Sequence, residues 1–372
     1  MDTAAQPRFR IVDFSQVMAG PFCTRLLADV GAEVIKVEPS GGETMRGRPP
    51  LRAGHSAYFG ALNAGKRSVT IDLKSTEGLR DARALIESAD VVVENFRPGV
   101  MARLGLGWEA LSALNPRLVY CAISGFGQSG AAASNPAYAP MIHAASGLDL
   151  TLMSFDPTAE NPAPTGLFFA DILAGVYAWG AIQTALLERA YTGQGQLVDV
   201  ALMDCMLSMM VYETQAAQFP QDTPRHVFLP AKAADGFVVI VPLSDKNFEA
   251  LRAVLGDPAW CADPVYHSAA SRQSHWREMM REIEDWTGGK SADEVVERMM
   301  KAGVPASRYQ TVTEAMASPY AQERGLTGTI TDAAGSYQAV NPPFKFSRTS
   351  AQVGAQVPEV GEGNATFLGQ KP

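Results

Sequence analysis

RFRIVDFSQVMAGPFCTRLLADVGAEVIKV, residues 8–37, predicts a compact strand–helix–strand unit near the start of the chain. Its apolar periodicity favours a strand at Arg8–Phe14, a helix at Pro21–Val30 and a second strand at Glu33–Val37. Proline suits the first turn of that helix and Gly31 suits its end. The turn between strand and helix lacks a GxGxxG pattern, which argues against NAD or FAD binding there.

Strand and helix patterns continue to alternate beyond this unit. Further strands are predicted at Ser68–Leu73, Val91–Glu94, Leu118–Ile123 and Gln196–Ala201, and helices at Thr76–Ser88 and Trp108–Leu114. Repeated alternation of this kind favours an α/β fold, a doubly wound parallel sheet with helices on both faces. Ligands of such sheets bind at the carboxyl ends of the strands.

The composition limits the possible functions. The chain has 372 residues, 47% of them hydrophobic, which favours two domains. A formal charge of -8 without a basic run argues against a nucleic-acid partner. The N-terminus has no apolar signal region, and no uncharged apolar run of about 18 residues occurs, so we expect a cytoplasmic protein without a membrane partner.

Cysteine and histidine spacing predicts neither disulfides nor a metal site. The cysteines are widely spaced, without a CxxC pair, and stand at Cys23, Cys121, Cys205 and Cys261. We therefore expect buried free thiols in a reducing compartment. The histidines show no HExxH or comparable metal-ligand spacing.

A second domain is predicted after an irregular segment rich in proline. The proposed division is a large domain at residues 1–215, a linker at 216–230, a smaller α+β domain at 231–328, and a return segment at 329–372 that completes the large domain. Within the small domain, a helix at Ser291–Ala302 begins with a Ser291/Glu294 capping box.

One carboxylate stands inside an apolar run, TGLFFADILAG at residues 165–175. Asp171 must lose part of its hydration there, which is costly unless a partner, a helix N-terminus or a reaction accounts for it. A long helix is predicted to follow at Ile172–Arg189, so Asp171 stands at its N-terminal end. The residues alone leave two possibilities open, an N-cap or a catalytic group.

Motifs along nearly the whole chain resemble the family III CoA-transferases, the group that contains formyl-CoA transferase and carnitine CoA-transferase. The motifs that carry this resemblance are Val12-Asp13-Phe14, Ala19-Gly20-Pro21, Gly31 to Glu38, Gly65 to Ser68, Val93 to Gly99, Ser124 to Gly127, Gly193 to Gln196, and Gly303 to Ala306. Each motif is short, but their order and spacing together are specific.

The resemblance implies two-domain subunits that are threaded through each other as an interlinked homodimer. It makes Asp171 the nucleophile, which takes CoA from an acyl-CoA as an aspartyl-CoA thioester and passes it to a small carboxylic acid. No metal, flavin or nicotinamide is required, and coenzyme A is a substrate rather than a cofactor. A desolvated, positioned carboxylate suits this role because a hydrated one is a weak nucleophile.

The resemblance also assigns residues to the site. Residues matching CoA contacts are Val17, Met18 and Ala19 in the first turn, then Lys74, Asn95, Phe96 and Arg103. The loop containing Gly125 and Gly127 is a candidate source of backbone N–H donors for oxyanions, or else a plain turn. Tyr138 and His143 are candidate pocket residues. No metal ligand is assigned.

Two positions depart from the family pattern. Pro39 replaces an adenine-contacting arginine of formyl-CoA transferase, and Arg46 or Arg48 could substitute for it. The small domain has Phe228–Lys232 where formyl-CoA transferase has a mobile run of glycines, so a different cover over Asp171 is expected.

Two other functions compete with CoA transfer. An α-methylacyl-CoA racemase shares the fold and the aspartate, but it needs a second acid/base group on the opposite face of the α-carbon. Racemases have a histidine at the position of Tyr138, and His143 lies further along the chain. A non-catalytic acyl-CoA-binding protein is the third possibility, and the presence of Asp171 argues against it.

Overall fold

The computed structural model describes residues 9–156, 158–163, 165–220 and 227–369. Its contacts divide the chain into two compact units, Met1–Thr214 together with Tyr320–Pro372, and Gln215–Pro319. Residues 221–226 of the predicted linker and Arg8, the predicted start of the first strand, lie outside the described residues.

Every strand and helix predicted as far as Ala201 overlaps an observed one. The strands are β1 (Arg10–Asp13), β2 (Glu33–Glu38), β3 (Leu51–Arg52), β4 (His55–Ser56), β5 (Arg67–Thr70), β6 (Val91–Glu94), β7 (Val119–Ser124), β8 (Leu197–Ala201), β9 (Ala231–Ala233), β10 (Gly236–Ile240), β11 (Ala306–Arg308), β12 (Thr327–Asp332) and β13 (Gly335–Val340). The helices are α1 (Ala19–Asp29), α2 (Ala57–Asn63), α3 (Thr76–Glu87), α4 (Val100–Arg103), α5 (Trp108–Leu114), α6 (Ala139–Ser146), α7 (Leu148–Ser154), α8 (Phe169–Thr192), α9 (Leu202–Met209), α10 (Val211–Ala216), α11 (Asp245–Leu255), α12 (Ala269–Ser274), α13 (Trp276–Thr287), α14 (Ala292–Lys301), α15 (Val312–Ala317), α16 (Pro319–Arg324) and α17 (Asn364–Phe367).

The first unit is built on a parallel sheet, as predicted. In the described part of the chain, six strands form this sheet in the order β5-β2-β1-β6-β7-β8. Strand β1 pairs with β2 on one side and with β6 on the other, both in parallel. The strand order therefore reverses between β1 and β6, and the crevice beyond their carboxyl ends is the expected ligand site.

Both faces of the sheet are covered by helices. On one face Ile11 and Val93 contact Leu27 of α1 and Ala174 of α8. On the other face Val12 and Tyr120 lie in a cluster with Ile86 of α3 and Leu111 of α5. Side chains that alternate along β1 thus enter opposite cores, which explains why the strands are almost continuously apolar.

Helix α8 lies directly against α1 because both present small residues. The buried side of α8 repeats about every four residues and consists of Ala170, Ala174, Ala178, Ile182 and Ala185. A Cβ atom on Gly175 would lie 2.8 Å from the Ala19 carbonyl oxygen and 3.0 Å from Phe22 Cδ1. Glycine at this position lets the first turns of the two helices meet.

Helix α8 is long enough, and its composition is apolar enough, to cross a membrane. One side of α8 is buried against α1 and the sheet, which is the pattern of a core helix rather than of a lone span. The four cysteines are free and buried, as predicted.

The second unit has an antiparallel sheet in the order β11-β10-β9, and α11, α13 and α14 contribute to its core. Ser244 caps α11. The capping box predicted at Ser291/Glu294 is only half formed, because the Ser291 side chain accepts from the Glu294 N–H but the Glu294 carboxylate pairs with Arg298 at 2.6 Å.

The chain returns to the first unit earlier than residue 329. Strand β12 begins at Thr327 and pairs with β13, and Ile330 and Ala339 of this hairpin pack against Ala64 and Val353. Burial of these side chains explains why the hairpin belongs to the first unit.

Candidate active site

The site lies at the carboxyl ends of β1 and β6, where the strand order reverses. The amide side chain of Asn95, just after β6, spans this crevice. Its Oδ1 accepts from the Gln16 N–H at 2.8 Å, and its Nδ2 donates to the Gln16 carbonyl at 2.7 Å. Asn95, one of the residues assigned to CoA contacts, therefore fixes the turn that follows β1.

A buried carboxylate anchors the same turn from below. Asp13 accepts from the Ser15 N–H at 2.9 Å, from the Thr24 hydroxyl at 2.6 Å and from Lys66 Nζ at 3.1 Å, and it also bonds the Ser15 hydroxyl. Burial would raise the pKa of Asp13, but Lys66 and Lys36 outweigh that effect and lower it.

The turn is held in an uncommon backbone conformation. Val17 has φ +67°, a left-handed value that a β-branched residue rarely adopts. A Cβ atom on Gly20 would lie within bonding distance of the Ser15 side chain, so only glycine permits this close approach. Strain of this kind persists only where surrounding contacts enforce it, and such positions cluster at functional sites.

Asp171 is the third residue of α8 and faces the start of α1. The Ala19 N–H and its own N–H lie near the Asp171 carboxylate and act to lower its pKa. Asp171 and Gly175 lie on the same side of the helix, so the close approach at Gly175 brings the carboxylate to Ala19. Burial raises the pKa of Asp171 to about 6, and the two backbone N–H groups offset only part of that effect.

The N-cap alternative for Asp171 is wrong. The cap residue of α8 is Phe168, and no side chain caps the helix. The helix begins before Asp171, so the residue is not the N-cap, and its carboxylate lies near the Ala19 N–H of α1 as well as near its own N–H.

Asp171 lines a cavity of about 570 Å³. The lining residues are Val17, Met18, Thr44, Met45, Arg48, Pro49, Tyr58, Tyr138, Ala139, Pro140, Phe168 and Asp171. The structure thus brings together Val17, Met18, Tyr138 and Asp171, four of the residues singled out in the sequence. Tyr138 is 67% exposed.

A second, smaller cavity of about 150 Å³ adjoins Tyr138 and includes Asn95, Phe96 and Gly125 among its lining residues. Glu94 holds this corner, because its carboxylate accepts from the Phe96 N–H at 2.8 Å. Burial raises the pKa of Glu94 to about 7, although that hydrogen bond acts against the shift.

His143 lies on α6 and binds the first turn of α8 rather than lining either cavity. Its Nε2 accepts from the Ala170 N–H at 3.2 Å, and its Nδ1 lies 3.2 Å from the Thr165 hydroxyl. This network assigns the single ring proton to Nδ1. Burial lowers the pKa of His143, only partly opposed by Asp149, so a neutral ring holds the helix turn that carries Asp171.

Five assigned residues are not among those that line the two cavities: Ala19 and His143, described above, and Lys74, Arg103 and Gly127. Lys74 and Arg103 are exposed, and the Lys74 N–H donates to Asp72 Oδ1 at 3.0 Å. Gly127 has φ +84°, and its loop is fastened by the Gln128 N–H, which donates to Asp199 Oδ2 at 2.9 Å. Their assignment to CoA or oxyanion binding stays a prediction.

The sequence missed the wall of the cavity contributed by Thr44–Tyr58. Tyr58 donates to Met18 Sδ at 3.4 Å, and burial together with the Asp171 carboxylate raises the pKa of Tyr58. This segment directly follows β2, so the rule that ligands bind at strand carboxyl ends could have indicated it. Its short, irregular elements gave no periodic signal.

The two arginines suggested for the adenine contact have different surroundings. Arg46 donates to Glu38 and to the Pro358 carbonyl, and its guanidinium lies 4.0 Å from the centre of the Phe59 ring. Arg48 lines the cavity that contains Asp171. A contact of either arginine with adenine stays a prediction.

The segment Phe228–Lys232 stands where formyl-CoA transferase has its glycine run. Part of it forms a strand within the second unit. Ala231 and Lys232 belong to β9 and pair with β10, and the Phe228 ring contacts Trp276 edge-on at 5.5 Å. The segment is therefore built into the core of its own unit.

Comparisons with known proteins identify the family of the chain. The model of the CoA-transferase family III matches residues 8–364. The succinate–glutarate CoA-transferase of Agrobacterium fabrum is 32% identical over 97% of this chain and 94% of its own. The succinyl-CoA:mesaconate CoA-transferase of Haloarcula hispanica is 33% identical over 96% and 94%. A CAIB/BAIF family protein from Brucella suis has a TM-score of 0.85 at 31% identity, covering 97% of this chain and 98% of its own. With matches along nearly its full length, the chain belongs to CoA-transferase family III and is an enzyme of that class.

Proposed function

We propose that the enzyme moves CoA from an acyl-CoA donor to a small carboxylic acid through an aspartyl-CoA thioester on Asp171. The observation that carries this proposal is the environment of the carboxylate. Asp171 lines a cavity large enough for an acyl group, burial raises its pKa to about 6, and no cation of the described residues forms an ion pair with it. By this proposal the enzyme is cytoplasmic, uses CoA only as a substrate, and needs no metal or organic cofactor.

The reaction consists of two matched halves. The Asp171 carboxylate attacks the thioester carbonyl, and the C–S bond breaks to leave a mixed anhydride and CoA thiolate. The thiolate attacks the Asp171 carbonyl of the anhydride, expels the donor acid as a carboxylate, and forms the aspartyl-CoA thioester. An incoming carboxylate then displaces CoA thiolate to give a new anhydride. Attack of the thiolate on the new acyl carbonyl yields the product acyl-CoA and restores Asp171.

The Ala19 N–H supports the steps in which Asp171 itself is attacked. Negative charge develops on a carboxyl oxygen of Asp171 when thiolate or carboxylate adds to its carbonyl carbon. A backbone donor already aimed at that carboxyl group stabilises the charge without reorganisation. Asn95 and the Asp13 anchor keep this donor in place by fixing the turn that precedes α1.

Racemisation is not favoured by the geometry. It requires a proton donor or acceptor opposite Asp171 across the substrate. Both ring nitrogens of His143 are engaged at the first turn of α8, and the exposed Tyr138 occupies the position of the racemase histidine. A tyrosine is a poor base at neutral pH because its ordinary pKa is about 10.

The names of the relatives guide the choice of substrates for a first test. They act, by name, on succinyl-CoA, succinate, glutarate and mesaconate. We infer that succinyl-CoA is a suitable first donor for this enzyme and that small carboxylic acids are its acceptors.

We also infer that the enzyme forms the interlinked homodimer. The outward side of α8 presents Val176, Leu187 and Tyr191, which are 43%, 58% and 80% exposed. Apolar side chains repeated along one side of a helix are typical of a surface that a partner covers. Gel filtration with light scattering tests this proposal, and a monomer across micromolar concentrations would contradict it.

A transfer assay with a racemase control tests the activity. The enzyme is incubated with each of several acyl-CoAs and a panel of carboxylic acids, and new acyl-CoAs are identified by mass spectrometry. The expected result is acid-dependent formation of a new acyl-CoA, which is lost in Asp171→Asn. Exchange of the α-proton of a 2-methylacyl-CoA in deuterated buffer, without any acceptor acid, would support the racemase instead.

A further inference from the structure

The cavity beside Asp171 contains one positive charge. Its lining residues, all within the described part of the chain, include Asp171 and Arg48 as the only side chains that are charged at neutral pH. The rest of the wall is apolar or carries hydroxyl groups. When Asp171 is converted to the thioester it becomes neutral. The wall then carries the net positive charge of Arg48. The site therefore attracts an anion at the stage when the acceptor acid must enter.

The guanidinium of Arg48 has its hydrogen-bond donors available. Two residues earlier, Arg46 uses its own donors on Glu38, at 2.8 and 2.6 Å, and on the Pro358 carbonyl at 2.9 Å. Arg48 makes no comparable bond to any residue that the structure describes, and it is exposed. An arginine presents five N–H donors in a planar fork that matches a carboxylate.

The backbone beneath Arg48 is nevertheless fixed. The Arg48 N–H donates to the Met45 carbonyl at 3.1 Å at the end of the 3-10 turn Thr44–Gly47, and Met45 is buried. The turn directs Arg46 to Glu38 and leaves Arg48 in the cavity wall. A side chain on a fixed backbone is a suitable selectivity element, because only the side chain and not the backbone has to be ordered when the ligand binds.

Asp171 and Arg48 line the same cavity, as the two ends of one ligand would require. Tyr58 lies close enough to Asp171 to respond to its charge, so Tyr58 and Asp171 mark the end where the acyl carbon reacts. Thr44 and Arg48 come from one turn and mark another part of the wall. A reacting carboxylate held by an arginine would be a poorer nucleophile, so the cation is better placed for a carboxylate that does not react.

We propose that Arg48 binds the second carboxylate of a dicarboxylic acid, so that the enzyme prefers short dicarboxylic acids to monocarboxylic acids of equal length. This inference rests on the proposed function and narrows its acceptor to one class. The same contact serves the free carboxylate of a dicarboxylic acyl-CoA donor, because donor and acceptor acyl groups occupy the cavity in turn.

An internal competition tests the proposal. The enzyme receives one donor and an equimolar pair of acceptors of equal length, succinate with butyrate, glutarate with pentanoate, or adipate with hexanoate. Both acids of a pair compete for the same aspartyl-CoA, so the ratio of the two product acyl-CoAs cancels any change in the donor step or in the amount of folded enzyme. Arg48→Gln is compared with Arg48→Lys and with the surface control Arg80→Gln.

Wild type should favour the dicarboxylic product, and Arg48→Gln should reduce that preference by about 10- to 100-fold, the usual effect of losing a hydrogen-bonded charge. Arg48→Lys should keep part of it, and Arg80→Gln all of it. An unchanged product ratio in Arg48→Gln, or a loss confined to the KM of the acyl-CoA donor, would overturn the role of Arg48 while leaving CoA transfer intact. Failure of the wild type to transfer CoA to any acid would instead overturn the proposed function, and the role of Arg48 with it.

Discussion

Two aspartates flank one turn of this enzyme and have opposite properties. Asp13 lies below the turn, where two hydroxyl groups, a backbone N–H and Lys66 bind it, and its pKa is lowered. Asp171 lies on the other side, where no cation in the described part of the chain forms an ion pair with it, and burial raises its pKa to about 6. Asp13 is thus stabilised as an anion and holds the turn, whereas Asp171 is destabilised as an anion.

Asp13 is fully buried and Asp171 is half-buried, so the opposite pKa shifts come from the compensation of charge and not from a greater burial of Asp171. A carboxylate paired with an ammonium group is stabilised as an anion and gains little by reacting. A carboxylate without a cation remains destabilised as an anion, and forming a covalent bond to carbon removes its charge. The anchor and the nucleophile therefore need each other, because Asp13 fixes the turn whose Ala19 N–H then lies near the Asp171 carboxylate.

The largest expected effect follows from Asp171→Asn. CoA transfer should fall by at least about 1,000-fold, because the amide cannot form the thioester. The folded protein should become more stable by about 1–2 kcal/mol at pH 8. The folded pKa of about 6 exceeds the ordinary value of 3.8, so the carboxylate costs stability fully above pH 6, and not at all below the unfolded value.

Urea unfolding at pH 8 and pH 4.5 measures this stability change. Asp204→Asn is the matched control, because Asp204 is the third residue of α9 as Asp171 is of α8, but it is exposed. The control should change activity and stability very little. A loss of stability in Asp171→Asn at pH 8 would instead mean that the Asp171 carboxylate stabilises the folded protein.

Lys66→Met should leave the Asp13 carboxylate without its ammonium partner, as Asp171 is without a cation among the described residues. The substitution removes the ammonium group from a fully buried pair and should lower the free energy of unfolding by about 3–5 kcal/mol. The double variant Asp13→Asn with Lys66→Met should recover part of that loss, since no uncompensated charge remains. Denaturant unfolding of the single and double variants measures the coupling, and strict additivity would contradict the anchor role.

Gly175→Ala tests the contact that brings Asp171 to its donor. The added methyl group would lie 2.8 Å from the Ala19 carbonyl oxygen, so the first turns of α1 and α8 must separate. Transfer activity should fall by about 10- to 100-fold, since a misplacement of about 1 Å has effects of this size.

The control for Gly175→Ala lies in the same helix. A Cβ atom on Gly180 would meet nothing within 4 Å. Gly180→Ala should therefore keep full activity and add about 0.5–1 kcal/mol to stability. Equal activity of the two variants would show that the approach of α8 to α1 does not matter for catalysis.

The smallest expected effect is a pH dependence. Only the ionised form of Asp171 attacks a thioester, so kcat/KM should rise with pH through a midpoint of about 6 and then level off. The pH profile with a donor that does not ionise in this range measures it. A midpoint near 4 would mean that the carboxylate is as well solvated as an ordinary aspartate.

Sequence alone predicted the parallel sheet and singled out the carboxylate that we propose as the nucleophile. Alternating patterns report local periodicity directly, and a carboxylate between Ala170 and Ile172 is visible as a break in an apolar run. The motif resemblance then separated catalysis from capping, which the residues near Asp171 had left open.

The surroundings of Asp171 were not predictable because they depend on contacts between distant segments. Lys66 is 53 residues from Asp13 along the chain, and a lysine in a loop is ordinarily exposed. In the sequence Gly175 is only a residue of low helix propensity, because its packing role depends on the contact with α1. Arg48 lies in a segment with few regular elements, where periodicity carries no information.

The most direct test of the account is to map the covalent intermediate. The enzyme is mixed with succinyl-CoA without an acceptor acid, treated with hydroxylamine, digested, and examined by mass spectrometry. The account predicts a hydroxamate on Asp171 that depends on the acyl-CoA, is absent in Asp171→Asn, and disappears when an acceptor acid is added before hydroxylamine. Transfer of CoA to an acid without any such modification of Asp171, or with the hydroxamate on another carboxylate, would contradict it.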